Sequence, residues 1–214
     1  MKIDIITIFP EMFEKIFDFG IPSQAKKSGL LEVYIHNLRD FTDKSYKQVD
    51  DRPFGGGTGM VLMPEPLGKA IDSVKTEKSV IINLSPKGEK LTQEVVEQTS
   101  KLEHLIIICG RYEGIDQRII DLYVDREISI GDYVLSGAEI PAMVLIDAIT
   151  RLIPGAIKNE DFNTSESFSD PKDRTKMDFS VYTRPAEYKG KKVPDVLLSG
   201  NHKEIGKWKE SSRS

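Results

Sequence analysis

Leu105-Ile106-Ile107-Ile108-Cys109, followed at once by Gly110-Arg111-Tyr112-Glu113-Gly114, reads as a buried strand running into a glycine-bounded loop. Apolar residues without alternation fit a strand covered on both faces, as in a parallel sheet. Working outward, the same strand-then-helix unit recurs. Residues 79–84 read as a strand and 92–100 as a helix; 116–122 read as a helix, 125–130 as a weaker strand and 139–152 as a long helix. Nearer the N-terminus, residues 2–9 read as a buried strand, Pro10 opens a helix, and 31–35 alternate like a strand. Residues 38–60 read as a polar, then glycine-rich, loop. Residues 64–75 read as a helix with Leu67, Ala70, Ile71 and Val74 on one face. Strands alternating with helices predict an α/β fold: a parallel sheet with helices on both faces. Residues 154–180, rich in Asn, Asp, Ser and Thr with two prolines, read as a linker or loop. Beyond Val181 there is little periodicity until a short helix-like end at 203–209.

The 214 residues are 39% hydrophobic and 30% charged, the balance of a folded globular chain long enough to bury a core without staples. A single cysteine, Cys109, excludes an intrachain disulfide. Its place at the end of an apolar run predicts a buried thiol, and a reducing compartment fits. The histidines, His36, His104 and His202, are scattered and show no zinc spacing. The N-terminal apolar run is too short for a signal peptide and carries an acid, and no run is long enough to span a bilayer. A cytoplasmic protein without a membrane partner is the expectation.

A net charge of −4 speaks against indiscriminate nucleic-acid binding, but the charge is uneven. Residues 171–214 hold 11 Lys/Arg against 6 Asp/Glu, leaving 19 against 28 for the rest. An acidic body with a basic tail suits a selective RNA binder; a solvated surface is the plainer alternative.

In open parallel sheets ligands sit at the carboxyl ends of strands. All three such ends here carry unusual loops: Leu84-Ser85-Pro86-Lys87-Gly88, the 109–114 segment, and Ile130-Gly131-Asp132-Tyr133-Val134-Leu135-Ser136-Gly137-Ala138. Glycines let backbone approach a ligand closely, so three such loops on successive strands predict a small-molecule pocket. No G-x-G-x-x-G follows a strand, and Gly55-Gly56-Gly57 is not followed by Gly-Lys-Ser/Thr, which rules out a P-loop.

Four segments carry a resemblance. Asp51-Arg52-Pro53-Phe54-Gly55-Gly56-Gly57, Cys109-Gly110-Arg111-Tyr112-Glu113-Gly114-Ile115-Asp116, Ile128-Ser129-Ile130-Gly131-Asp132-Tyr133-Val134-Leu135-Ser136-Gly137 and Val196-Leu197-Leu198-Ser199-Gly200-Asn201-His202 resemble those of the bacterial tRNA (guanine-N1)-methyltransferases, from Met1 to about Trp208. The resemblance implies a trefoil knot within the main domain, an exception to the rule that chains avoid knots. It implies a homodimer that methylates the guanine 3′ of the anticodon in tRNA when another guanine precedes it. The domains expected from it are a knotted S-adenosylmethionine-binding domain over 1–158, a flexible linker over 159–178, and a small, shortened, mostly helical tRNA-binding domain over 179–214.

By the same resemblance, S-adenosylmethionine is held by Leu84, Ser85, Pro86, Gly110, Arg111, Tyr112, Glu113, Gly114, Ser129, Ile130, Gly131, Tyr133, Val134, Leu135, Gly137 and Pro141. The tRNA is met by Arg52, Pro53, Gly55, Gly56, Gly57, Thr58, Gly59, Asn201 and His202. Magnesium is a further expectation from similar enzymes, with no ligand set readable.

Guanine N1 is protonated at neutral pH, so the implied chemistry needs a general base, a contribution of roughly 10²–10⁴-fold. It also needs a cation or donor for the charge moving onto O6. The family's arginine falls on Arg151 in Thr150-Arg151-Leu152-Ile153-Pro154-Gly155; a helix-capping arginine is the structural alternative. The family's base is an aspartate before Ser-Phe, where this chain has Glu166, longer by one carbon–carbon bond of roughly 1.5 Å. Displacement of that order costs on the order of 100-fold in rate. Asp178, which also matches a family acid, is the second candidate, ahead of Asp161 and Asp170. Two rivals remain at this level: an RNA-binding protein that has lost the base, and a related knotted enzyme acting on ribosomal RNA or a ribose.

Overall fold

The computed structural model describes residues 1–157 and 166–213. The chain divides into two compact units, Met1–Lys158 and Asn159–Ser214.

In the first unit five strands form one parallel sheet: β1 (Lys2–Thr7), β2 (Glu32–Asn37), β5 (Ser79–Lys90), β6 (His104–Ile108) and β7 (Arg126–Ser129), in the order β2-β1-β6-β5-β7. The apolar stretch at 104–108 lies at the centre, with Ile3 paired to Leu105 on one side and Val80 to Leu105 on the other. All five β6 residues are buried, which is why the sequence there has no polar alternation. Every other residue then faces a different layer. Ile3, Ile5, Leu105, Ile107 and Cys109 pack on one side, with Ala142, Leu145, Ile146 and Ile149 of α5 (Glu139–Thr150). Ile6, Ile106 and Ile108 pack on the other, with Leu67, Ala70 and Ile71 of α2 (Pro64–Val74) and Ile119 of α4 (Gln117–Tyr123). Each leucine or isoleucine among them, buried completely, contributes roughly 1.5–3 kcal/mol. Helices thus cover both faces.

The helix starts follow their sequence signals. Thr92 caps α3 (Gln93–Thr99) by accepting the Val95 N–H, Asp116 caps α4 by accepting the Arg118 N–H, and proline opens α2. Two elements differ from expectation. Pro10–Phe13 is only a short 3-10 turn, and the helix follows later as α1 (Gly20–Lys27). Pro22 is tolerated because it sits in the first turn, where its missing N–H has no helical partner. The 38–60 region holds a two-residue ladder, β3 (Asp50–Asp51) against β4 (Val61–Leu62).

The second unit is built from a small hairpin and short helices. A hairpin, Glu187–Tyr188 with Lys191–Lys192, turns through Lys189 and Gly190, both at positive φ as a tight hairpin requires. The helix His202–Ser211 contains the expected 203–209 segment, and Tyr182 meets Trp208 at 6.1 Å between ring centroids. The N-terminal part of the expected linker, with Asp161, lies outside the described residues.

Candidate active site

The site begins where β5 leaves its neighbour. Leu84 and Glu89 both pair with Ile128, so 85–88 bulge out of the sheet. Gly88 crosses against the backbone of Glu127 and Ile128 so closely that a Cβ there would collide with main chain, which cannot move aside. The second loop leaves β6 at Cys109. Tyr112 adopts φ 61, the left-handed region that bulky residues avoid, and Gly114 follows at φ 113. The third loop leaves β7. The Ser129 hydroxyl donates to the Gly131 carbonyl at 3.0 Å, and the Tyr133 hydroxyl donates to the Ile130 carbonyl at 3.3 Å. The second and third loops are stitched together: the Ala138 N–H donates to the Gly110 carbonyl at 3.0 Å, and Arg111 bridges Gly137 in antiparallel fashion.

The three loops enclose a cavity of about 300 Å³, at the low end of the volumes typical for small-molecule sites. The structure places all sixteen residues expected to hold a cofactor on its lining. It adds some that the sequence did not single out, among them Asn83, Lys87, Gln117 and Glu127. Asn83 Nδ2 donates to Glu127 Oε1 at 2.8 Å. A polar residue interrupting the apolar run 80–84 was the available signal for Asn83; Glu127 had none, because a strand-edge acid is ordinarily solvated.

Electrostatics around the cavity are specific. Burial, reinforced by the charge of Glu139 and opposed by Arg111, pushes the Cys109 thiol well above its usual range, so it stays a neutral packing group as expected. Glu139 is itself fully buried and pairs with Arg111 Nε at 2.8 Å.

The glycine-rich loop lies beside the second loop in the same unit. Gly55, Gly56, Gly57 and Gly59 all take positive φ, with Arg52 and Thr58 exposed and Pro53 half-buried. Its base is tied across: the Glu113 N–H donates to the Met60 carbonyl and the Leu62 N–H to the Gly114 carbonyl, both at 3.0 Å. The Glu113 carboxylate sits against Gly59, at 2.6 Å from where a Cβ would be. The long unpatterned loop is therefore hydrogen-bonded to the cavity wall.

The expected catalytic residues fall in both units. Arg151 follows the last residue of α5, its N–H donating to the Asp147 carbonyl at 3.3 Å. In the second unit the segment from Glu166 to Asp178 folds back on itself. The Ser169 N–H donates to the Glu166 carbonyl at 3.2 Å, the Phe168 N–H to the Lys176 carbonyl at 3.0 Å, and the Asp178 N–H to the Ser167 hydroxyl at 2.8 Å. Glu166 and Asp178 thus sit at the two ends of one closed loop. Asn201 caps the terminal helix through the Glu204 N–H, and His202 is exposed beside it. Among the described residues no group of three or more His, Cys, Asp or Glu could hold a metal ion, and no helix is long and apolar enough to cross a membrane.

A twisted parallel sheet with a loop-built cavity at the carboxyl ends of three adjacent strands defines an α/β protein with a small-ligand site. The profile of the tRNA (Guanine-1)-methyltransferase TrmD family matches residues 1–214, and the chain belongs to that family. It is 51% identical over 209 residues to the tRNA (guanine-N(1)-)-methyltransferase of Dictyoglomus turgidum, covering 98% of this chain and 83% of that one. The protein of that name from Ruminiclostridium cellulolyticum is 50% identical over 213 residues, 98% and 89% of the two chains. A Pseudomonas putida relative of the same name is 52% identical over 212 residues, 98% and 83%.

Proposed function

We propose that this protein transfers a methyl group from S-adenosylmethionine to N1 of the guanine 3′ of the anticodon in tRNA, in the cytoplasm. The observation that carries it is the convergence of three loops, two of them bearing the family's motifs, on one cavity, in a chain that belongs to this family along its whole length. The cavity fits the cofactor. Gly110, Gly131 and Gly137 bring main-chain donors and acceptors to its wall for an adenine edge. Glu113 and Glu127 supply negative charge for a ligand bearing a sulfonium and an ammonium.

When bound, S-adenosylmethionine supplies an electrophilic methyl carbon. The chain's own residues must then activate the guanine. Glu166 takes the N1 proton onto its carboxylate as N1 accepts the methyl carbon, whose bond to the sulfonium would break to leave the neutral thioether, with Asp178 at the other end of the same loop as the second candidate. Arg151 offers its guanidinium to the negative charge arriving on O6. Magnesium, which the resemblance implies, has no group of three or more ligating side chains among the described residues, and one or two carboxylates together with RNA phosphates would hold it.

The knot belongs to this proposal: the 84–90, 109–116 and 129–138 segments form its crossings. Gly88 lying on the Glu127–Ile128 backbone and the Ala138–Gly110 hydrogen bond support it. So does the homodimer. Ile140 and Val144, one turn apart on α5, remain 53% and 43% exposed beside Pro141 of the cavity, an apolar face suited to a second copy. The linker over 159–178 and the C-terminal tRNA-binding unit complete it, with Asn201, His202 and the glycine loop meeting RNA. The exposed Lys-rich hairpin and the Tyr182–Trp208 pair suit phosphate and base contacts.

The test is transfer of labelled methyl to a tRNA transcript carrying guanine at both the third anticodon position and the next, against one with adenine in place of the target. Label in the first alone, recovered as 1-methylguanine, is the expected result. Replacing Glu166 with Gln should then lower the rate by roughly 10²–10⁴-fold. Wild-type turnover in that variant removes Glu166 from the role and passes it to Asp178. Label in a ribose, or in neither transcript, would sink the proposal.

A further inference from the structure

Arg111 stands on the cavity lining, where an arginine would ordinarily be taken for a ligand's anion partner. Its nitrogens are directed elsewhere. Nε donates to the Glu139 carboxylate at 2.8 Å, Nη1 to the Ser136 carbonyl at 3.3 Å, and Nη2 to the Met12 sulfur at 3.3 Å. The guanidinium also lies over the Phe9 ring, 4.7 Å from its centroid. On the other side it packs so tightly on Gly137 that a Cβ there would collide with it. The second oxygen of Glu139 accepts from the Thr7 hydroxyl at 2.8 Å, and Thr7 in turn accepts the Phe9 N–H at 3.0 Å. Glu139 is 0% exposed and the Arg111 side chain 17%.

From this geometry we infer that Glu139 is a positioning residue for cofactor binding: through Arg111 it clamps the 109–114 loop to the 136–139 loop and so fixes two of the three walls of the cavity. The inference rests on the assignment of that cavity to S-adenosylmethionine. Its physical basis is that a carboxylate removed from water is retained only where it is paired and fully hydrogen-bonded. Here both oxygens are used, one by Thr7 at the end of β1 and one by Arg111, and Arg111 in turn reaches Met12 in the Pro10–Phe13 turn and Ser136 in the third cavity loop. The guanidinium fork spreads its three nitrogens in one plane over Glu139, Ser136 and Met12, an arrangement that the single ammonium of lysine does not reproduce. Gly137 is glycine because the fork occupies the space a side chain would need. Glu139 itself is absent from the cavity lining, so it acts on the ligand only through the loops.

The experiment uses the full chain and measures the dissociation constant of S-adenosylhomocysteine by calorimetry, together with KM for each substrate and kcat. The variants are Glu139→Gln, Thr7→Val, Arg111→Lys, and the double variant Glu139→Gln/Arg111→Lys. Thr7→Val keeps the charge pair and shape and removes the two hydrogen bonds of the hydroxyl, to Glu139 and from the Phe9 N–H, so it reports even where the Glu139 variant fails to fold. The expected pattern is a cofactor dissociation constant and KM raised about tenfold in Glu139→Gln and Arg111→Lys. A smaller rise is expected in Thr7→Val. KM for tRNA and kcat at saturating cofactor should stay within about twofold, and the double variant should be no worse than either single. Unchanged cofactor affinity in a folded Glu139→Gln or Thr7→Val protein, or additive losses in the double variant, would overturn the inference. A wild-type protein that does not bind S-adenosylhomocysteine overturns the cofactor assignment itself, and with it the clamp.

Discussion

Asp4 shows how a single buried carboxylate is held in a mostly apolar sheet. It is 1% exposed on β1 and receives Lys2 Nζ at 2.8 Å, His36 Nε2 at 2.6 Å and His104 Nε2 at 2.6 Å. Ser79 and Thr76 hold the other nitrogen of His104, at 2.8 and 3.2 Å. Burial alone would raise the Asp4 pKa, but the hydrogen bonds from Lys2, His36 and His104 outweigh it and hold the carboxyl below its ordinary 3.8. A carboxyl lowered in the folded state contributes stability that is present above the unfolded value and lost as pH falls through the folded one. Asp4→Asn should therefore cost about 3 kcal/mol at pH 7, on the order of 6–12 °C in Tm. The deficit against wild type should shrink as pH is lowered from about 5 to 3. A deficit constant across that range in thermal melts would show that Asp4 contributes by shape and not by charge. In the sequence, Asp4 appeared only as an acid inside an apolar run; its two histidine partners lie 32 and 100 residues away, and no local pattern brings them together.

At the scale of elements, the bulge in β5 decides whether there is a site at all. A strand continuing straight past Leu84 would stay paired with β7; instead four residues leave the ladder and pairing resumes at Glu89. Gly88 permits this because its missing side chain lets two backbones touch. Gly88→Ala is expected to force the β5 and β7 main chains apart, at a cost of about 1–3 kcal/mol. Binding of S-adenosylhomocysteine should weaken at least tenfold, since the first cavity loop shifts with the strand. Circular dichroism melts and calorimetry check both. A variant that binds as wild type would mean that the bulge does not position the loop. Here the sequence was informative about which segments are loops, since Ser85, Pro86 and Gly88 cluster after a strand. It placed the end of the strand at 84 because proline and glycine interrupt the pattern, whereas strand geometry resumes across the bulge to Lys90.

For the whole molecule, the apolar face at Ile140 and Val144 carries the expectation of a second copy. Ile140→Asp places a charge at the centre of that face without touching the α5 core. It should convert a dimer to a monomer in sedimentation velocity while leaving Tm within a few degrees. A monomeric wild-type protein under the same conditions would remove the dimer from the proposed function. The sequence by itself determined the parallel α/β class, the buried central strand, the buried Cys109 and the three cavity loops. Each is a local property: period, capping residues and glycine positions are read within a window of a few residues. Twelve of the sixteen cavity positions lie within two motif segments, 109–116 and 128–137, each contiguous in the chain. Only the tertiary structure decided what those residues do to one another. It paired Arg111, on the cavity lining, with the buried Glu139, joined the glycine loop to the cavity wall through Met60 and Leu62, and gathered His36 and His104 on Asp4. The physical reason is range. Strand and helix formation follow from neighbours in sequence, whereas a buried charge survives only where distant segments converge to satisfy it, and that convergence is set by how the layers pack.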